Sequence, residues 1–101
     1  MIKIILACSA GMSTSILVKK MQKVVSDENL QVEITAMPTT EAFNKWNDAD
    51  IILLGPQVRY ELEKFKDHTN SKIPIEVIDM LDYGMGNGEK ILKWALSKIN
   101  K

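Results

Sequence analysis

Residues 2–15 read Ile2-Lys3-Ile4-Ile5-Leu6-Ala7-Cys8-Ser9-Ala10-Gly11-Met12-Ser13-Thr14-Ser15. The first six residues form an apolar run with β-branched side chains at Ile2, Ile4 and Ile5. Such a run has the signature of a buried strand. Small and hydroxyl residues follow, and then apolar residues at helical spacing: Leu17, Met21 and Val24, with Val18 and Val25 beside them. A buried strand that breaks at a cysteine and re-forms as a helix is the first half of a strand–helix–strand unit. The rest of the chain repeats that alternation.

Gln31 to Ala36 alternates strictly, with Val32, Ile34 and Ala36 on one face and Gln31, Glu33 and Thr35 on the other. One wetter face predicts an edge strand. Pro38-Thr39-Thr40 opens a second helix with a threonine as the expected N-cap, and its apolar face is Ala42, Phe43 and Trp46. Asn47-Asp48 marks a turn. Ile51 to Leu54 is continuously apolar, as a central parallel strand requires. Gly55-Pro56 stops it, and Pro56 suits the first position of a third helix carrying Val58, Leu62 and Phe65. Ile75 to Ile78 predicts a fourth strand, and Gly84-Met85-Gly86-Asn87-Gly88 a flexible connector. A last helix carries Ile91, Leu92, Ala95, Leu96 and Ile99, with Glu89 and Lys93 spaced to pair.

Strand and helix alternate four times, with no repeat or linker, so residues 1–101 are expected to form one domain. The expected architecture is α/β and three-layered. A four-stranded parallel sheet in the flavodoxin-like order 2-1-3-4 has helices on both faces. That order places the wetter second strand outside and the most apolar strands inside. Ligands of such sheets bind beyond the carboxyl ends of the strands, where the first and third diverge. Cys8 and Gly55-Pro56-Gln57 are expected to meet there.

The composition narrows the class. Thirteen basic and thirteen acidic residues give net charge zero, which offers no electrostatic footprint for nucleic acid. No apolar run approaches the roughly 20 residues of a membrane span, and the opening MIKIILA is too short for a secretory signal. One cysteine excludes an internal disulfide and points to a reducing, cytoplasmic setting. It also leaves Cys8 as the one chemically unusual residue.

The surroundings of Cys8 suit an oxyanion. Backbone N–H groups of a tight loop make a concave nest, and a helix start adds donors with partial positive charge. Ala10 and Gly11 allow close approach, while Ser9, Ser13, Thr14 and Ser15 offer hydroxyl donors. The same field favours thiolate over thiol, so Cys8 is the candidate nucleophile. Against this stands the common case of an inert, buried cysteine.

Similar motifs fail on particular residues. No Gly-Lys-Ser/Thr follows Gly11, so this is not a nucleotide P-loop. Gly84-x-Gly86-x-Gly88 lacks the dinucleotide spacing, and a response-regulator aspartate is absent where Leu54-Gly55 stands. The low-molecular-weight tyrosine phosphatases share the strand–loop–helix plan but end the loop with Cys-x5-Arg, where this chain has Thr14. Without a guanidinium, hydrolysis loses its main stabiliser.

Three segments carry a resemblance. They are Cys8 through Ser15, Leu53-Leu54-Gly55-Pro56-Gln57-Val58, and Glu76-Val77-Ile78-Asp79 followed by Tyr83-Gly84. Together they resemble the IIB component of the lactose/cellobiose branch of the bacterial phosphoenolpyruvate-dependent sugar phosphotransferase system. The likeness runs over essentially the whole chain, and the Met-Ser-Thr-Ser loop is similar to the cellobiose-type members. The fold implied is flavodoxin-like, similar to the low-molecular-weight tyrosine phosphatases. The resemblance implies that Cys8 takes a phosphoryl group from a phosphohistidine of IIA. It then passes the group to a sugar, such as cellobiose, chitobiose or a related β-glucoside, carried by the membrane transporter IIC. Ala10, Gly11, Met12, Ser13, Thr14 and Ser15 correspond to the loop around the phosphoryl group. No cofactor or metal is implied. A relay protein that meets two partners in turn is expected to be a monomer, with no insertion into the membrane.

The only histidine, His68, reads as a solvated helix-end residue rather than a second phosphate carrier. Trp46 and Trp94 read as core or rim, and methionines on helical stripes as core filler. Met12 is expected to shield the loop or meet a partner, and Arg59 and Tyr60 to lie on a solvated face or a partner contact. Two other functions stay open on sequence grounds: a cysteine-dependent phosphatase, and a non-enzymatic anion-binding module in which Cys8 is incidental.

Overall fold

Alternating side-chain direction along a strand shows which face each residue serves, and here it defines two cores. A computed structural model of the chain describes residues 1–9 and 12–99, with side chains for 1–9 and 15–99. The strands are β1 (Ile2–Cys8), β2 (Val32–Pro38), β3 (Ile51–Leu54) and β4 (Ile75–Val77). The helices are α1 (Met12–Asp27), α2 (Thr39–Lys45), α3 (Leu62–Thr69), α4 (Met80–Met85) and α5 (Gly88–Ile99). The sheet is parallel throughout, in the order β2-β1-β3-β4.

Ile4 and Leu6 point to one face and Ile5 and Ala7 to the other, as the two-residue period of a strand demands. The first face packs with Ile51, Leu53 and Ile78 against Leu17, Val18 and Met21 of α1 and Ile91, Leu92 and Ala95 of α5. The second packs with Ile52, Leu54 and Ile75 against Ala42 of α2, Val58, and Phe65 of α3. The layers are therefore α1 and α5, the sheet, then α2 and α3, as expected from the sequence. β2 is an edge strand with Glu33 and Thr35 exposed, which matches its alternating pattern.

Several local expectations need correction. No threonine caps α2: Pro38 holds the cap position at φ −63° and ψ 155°, and Thr39 is already helical and buried. Pro38 is the last paired residue of β2, opposite Cys8, so the strand hands over directly to the helix. The third helix begins with Pro56 at its first position, but residues Pro56–Glu61 form 3-10 turns with a kink at Val58. The α-helix proper starts only at Leu62. The glycine-rich connector is mostly helical: α4 contains Gly84, and Gly86 ends it at φ 66°. Asp79 starts this helix by accepting the N–H groups of Leu81 and Asp82 at 3.1 Å each. Lys93 bridges to Glu28 of the α1–β2 turn at 3.1 Å rather than to Glu89. Met21 fills the core as expected, whereas Met80 and Met85 on α4 are 63% exposed.

Candidate functional site

Pairing continues past the strand ends at one edge of the sheet, and this draws the strand–helix turns together. Gly55 N–H donates to the Ala7 carbonyl at 2.9 Å, and Ile78 N–H donates to the Leu54 carbonyl at 2.9 Å. Cys8 lies opposite Pro38 in the β1–β2 register. A methyl group placed on Gly55 would sit 3.8 Å from the Cys8 Cβ. Cys8 and Gly55-Pro56-Gln57 thus meet where β1 and β3 send their chains to opposite faces, at the expected switch point.

Cys8 is 2% exposed. Its thiol lies under the surface, between the ends of β2 and β3, not on an open loop. Ser9 and Ser15 are exposed on either side of it along the chain. Ala10 and Gly11 lie outside the described residues. Met12, Ser13 and Thr14 belong to the first turn of α1, and their side chains lie outside what is described. Of the loop residues singled out in the sequence, the structure thus locates Cys8, Ser9 and Ser15 with side chains.

The chain next to Cys8 contributes charge through its backbone rather than its side chains. No charged residue occurs from Cys8 through Val18, and α1 has no acidic residue in its first turn. A helix of 16 residues carries partial positive charge at its start. An anion on Cys8 would stand before that start, with no carboxylate of α1 to compete.

The sequence places one further side chain, Gln57, at this switch point but gives it no role. Gln57 is exposed, yet its Oε1 lies 3.1 Å from the methyl position of Gly55, a space that the Cys8 Cβ also borders at 3.8 Å. The Gly-Pro-Gln segment carried the signal; its geometry required the fold. The other candidates are elsewhere. His68 ends α3, and a helix following a parallel strand ends at the opposite edge of the sheet from Cys8. There it is exposed, stacked on Phe43 with centroids 3.7 Å apart, and faces the edge of Trp46 at 6.3 Å. Trp94 and Trp46 are half-buried against the two cores, as expected. Arg59 and Tyr60 are exposed on the 3-10 turns after Gly55.

This chain is similar to IIB components of the phosphotransferase system. The family model for the lactose/cellobiose-specific IIB subunit of the phosphotransferase system matches residues 3–93. The oligo-beta-mannoside-specific EIIB component of Bacillus subtilis is 45% identical, over 94% of this chain and 93% of that protein. The cellobiose-specific EIIB component of Lactococcus lactis is 43% identical, over 96% of this chain and 95% of that one. The solution structure of the cellobiose-specific IIB component of Borrelia burgdorferi is 39% identical. It superposes with a TM-score of 0.83, covering 98% of this chain and 92% of the other.

Proposed function

We propose, because this chain belongs to the lactose/cellobiose-specific IIB subunits of the phosphotransferase system, that Cys8 is its phosphorylated residue. A IIB subunit is a phosphotransferase that relays phosphoryl groups to sugar. The observation that carries the residue assignment is the placement of Cys8 at the β1–β3 switch point, ahead of a helix start that lacks acidic residues.

In the first step Cys8 Sγ attacks the phosphorus of a phosphohistidine on IIA. The S–P bond forms, the P–N bond breaks, the electron pair returns to the imidazole, and the imidazole takes up the proton that Cys8 gives up. In the second step a sugar hydroxyl attacks the same phosphorus. The O–P bond forms, the S–P bond breaks, and Cys8 takes up the proton that the hydroxyl gives up. Neither step asks more of the protein than alignment and charge stabilisation. Ala10, Gly11, Met12, Ser13, Thr14 and Ser15 are the cradle, through backbone N–H groups and hydroxyls.

Thr14, where phosphatases carry arginine, supports transfer over hydrolysis, and the phosphatase alternative is not retained. The sugar is cellobiose, chitobiose or a related β-glucoside carried by IIC. The partners dock at the Cys8 edge, where Ile16, Tyr60, Met80 and Leu81 are all more than 60% exposed in the helical segments that follow β1, β3 and β4. Residues 1–101 act as one IIB domain, monomeric and cytoplasmic. No helix among the described residues is long and apolar enough to cross a membrane.

The test is phosphoryl labelling with phosphoenolpyruvate, the upstream relay proteins and a cellobiose-type IIA. The wild-type chain takes label, and Cys8→Ser takes none. Label that persists in Cys8→Ser puts the phosphoryl group on another residue.

A further inference from the structure

We propose that Gln57 is a second polar group of the phosphoryl site, donating from its side-chain amide to a phosphoryl oxygen held on Cys8. The inference rests on the relay reading of Cys8. It starts from Gly55, whose missing side chain leaves a space that two neighbours border. A methyl there would lie 3.1 Å from Gln57 Oε1 and 3.8 Å from the Cys8 Cβ. The Gln57 side chain therefore folds back over residue 55, beside a space that Cys8 also borders. Its Oε1 is no farther from the Cys8 Cβ than those two distances combined. A phosphoryl group on Cys8 adds the reach of the C–S and S–P bonds to that Cβ, and a rotatable carboxamide at this range can meet it.

Gly55 is not there for its backbone freedom. Its φ of −62° and ψ of 152° suit any residue that precedes proline. What residue 55 supplies is the absence of a Cβ, which leaves Gln57 room to lie beside Cys8. Pro56 fixes the direction of the chain into the 3-10 turn, where Gln57 is exposed and its side chain has no hydrogen-bond partner among the described residues. The carboxamide oxygen faces Gly55. A half-turn about its last bond presents Nε2 instead. A phosphoryl group has only acceptor oxygens to offer, so the nitrogen is the end it would select. An amide donor holds the group without adding charge, in keeping with the uncharged stretch from Cys8 through Val18.

Rapid-quench transfer from a phosphorylated cellobiose-type IIA protein to this chain tests the assignment. Gln57→Ala is expected to slow labelling of Cys8 about 10-fold, the scale of one hydrogen bond to a charged group. Gln57→Glu keeps the shape and sets a carboxylate against the phosphoryl group, for a loss on the order of 100-fold. Gly55→Ala fills the space beside Gln57 and should reproduce part of the alanine effect, with a melting temperature close to wild type. A purely structural role for Gln57 would not separate glutamate from alanine in this order. Rates equal to wild type in both Gln57 variants, or losses that track lowered melting temperatures, overturn the proposal. If wild type takes label, Cys8→Ser does not, and the Gln57 variants match wild type, only the Gln57 role falls. A wild-type chain that takes no label brings down the relay reading itself.

Discussion

The β1–α1 and β4–α4 turns leave the same edge of one parallel sheet, and they treat their helix starts in opposite ways. At β4–α4 the chain supplies its own anion. The Asp79 carboxylate accepts the N–H groups of Leu81 and Asp82, and Asp82 adds a second acidic side chain in the first turn. At β1–α1 the chain supplies a cysteine, small residues and hydroxyls, with no acidic residue in the first turn of α1. Partial positive charge at a helix start attracts negative charge whether it is built in or brought in. One turn is closed by its own carboxylate; in the proposed function the other receives an anion that comes and goes.

Putting a fixed carboxylate into the open turn should break the contrast most severely. Ser9 is exposed and directly follows Cys8, so Ser9→Asp sets a permanent negative charge beside an incoming phosphoryl group. Labelling of the variant is expected to fall on the order of 100-fold, from like-charge repulsion over a few ångströms. Salt should restore part of the loss by screening. A rate within twofold of wild type at low salt would show that this turn does not receive the phosphoryl charge.

The converse change removes the built-in anion. Asp79→Ala leaves two N–H donors of α4 without their carboxylate, and chemical denaturation should register a loss of about 1 kcal/mol. β4 is separated from β1 by β3, so phosphoryl labelling of the variant should stay within twofold of wild type. A stability change with no effect on transfer would sharpen the division between the two turns. A transfer defect matching that of Ser9→Asp would erase it.

The same contrast explains what could be read from the sequence. Strand order, layers and both cores followed from hydrophobic period, since Ile51 to Leu54 is buried throughout and β2 alternates. Cys8 stood out because no other cysteine competes with it. The turns were less legible. Asp79 looks like an ordinary loop residue until α4 is known to be a helix, and the glycines at 84, 86 and 88 concealed that helix. Gly86 supplies the positive φ that ends α4. Gly88 is small because α1 crosses it, where a Cβ would fall 2.8 Å from the Cβ of Lys20. Strand order brought Gly55-Pro56-Gln57 to the Cys8 switch point, but it did not show the Gln57 side chain lying over Gly55. That approach depends on the course of the 3-10 turn, which no local pattern shows.

The smallest effect concerns the second carboxylate of the closed turn. The Asn87 side-chain amide donates to Asp82 at 3.0 Å, and the Lys90 ammonium lies 3.2 Å away, so α4 is tied to the start of α5. Hydrogen bonding from Asn87 foremost, and then Lys90, holds the Asp82 carboxyl below its ordinary range despite partial burial. A carboxylate with a depressed folded-state value adds stability that is fully present above its unfolded value. That stability is lost as pH falls through the folded value. Asp82→Asn should therefore lower the melting temperature by a few degrees at neutral pH, with the gap to wild type closing below about pH 4. The open turn has no acidic residue to produce such a slope, so Ser15→Ala should show no matching acid dependence. A gap between Asp82→Asn and wild type that stays constant down to pH 2 would mean that packing, rather than charge, binds α4 to α5.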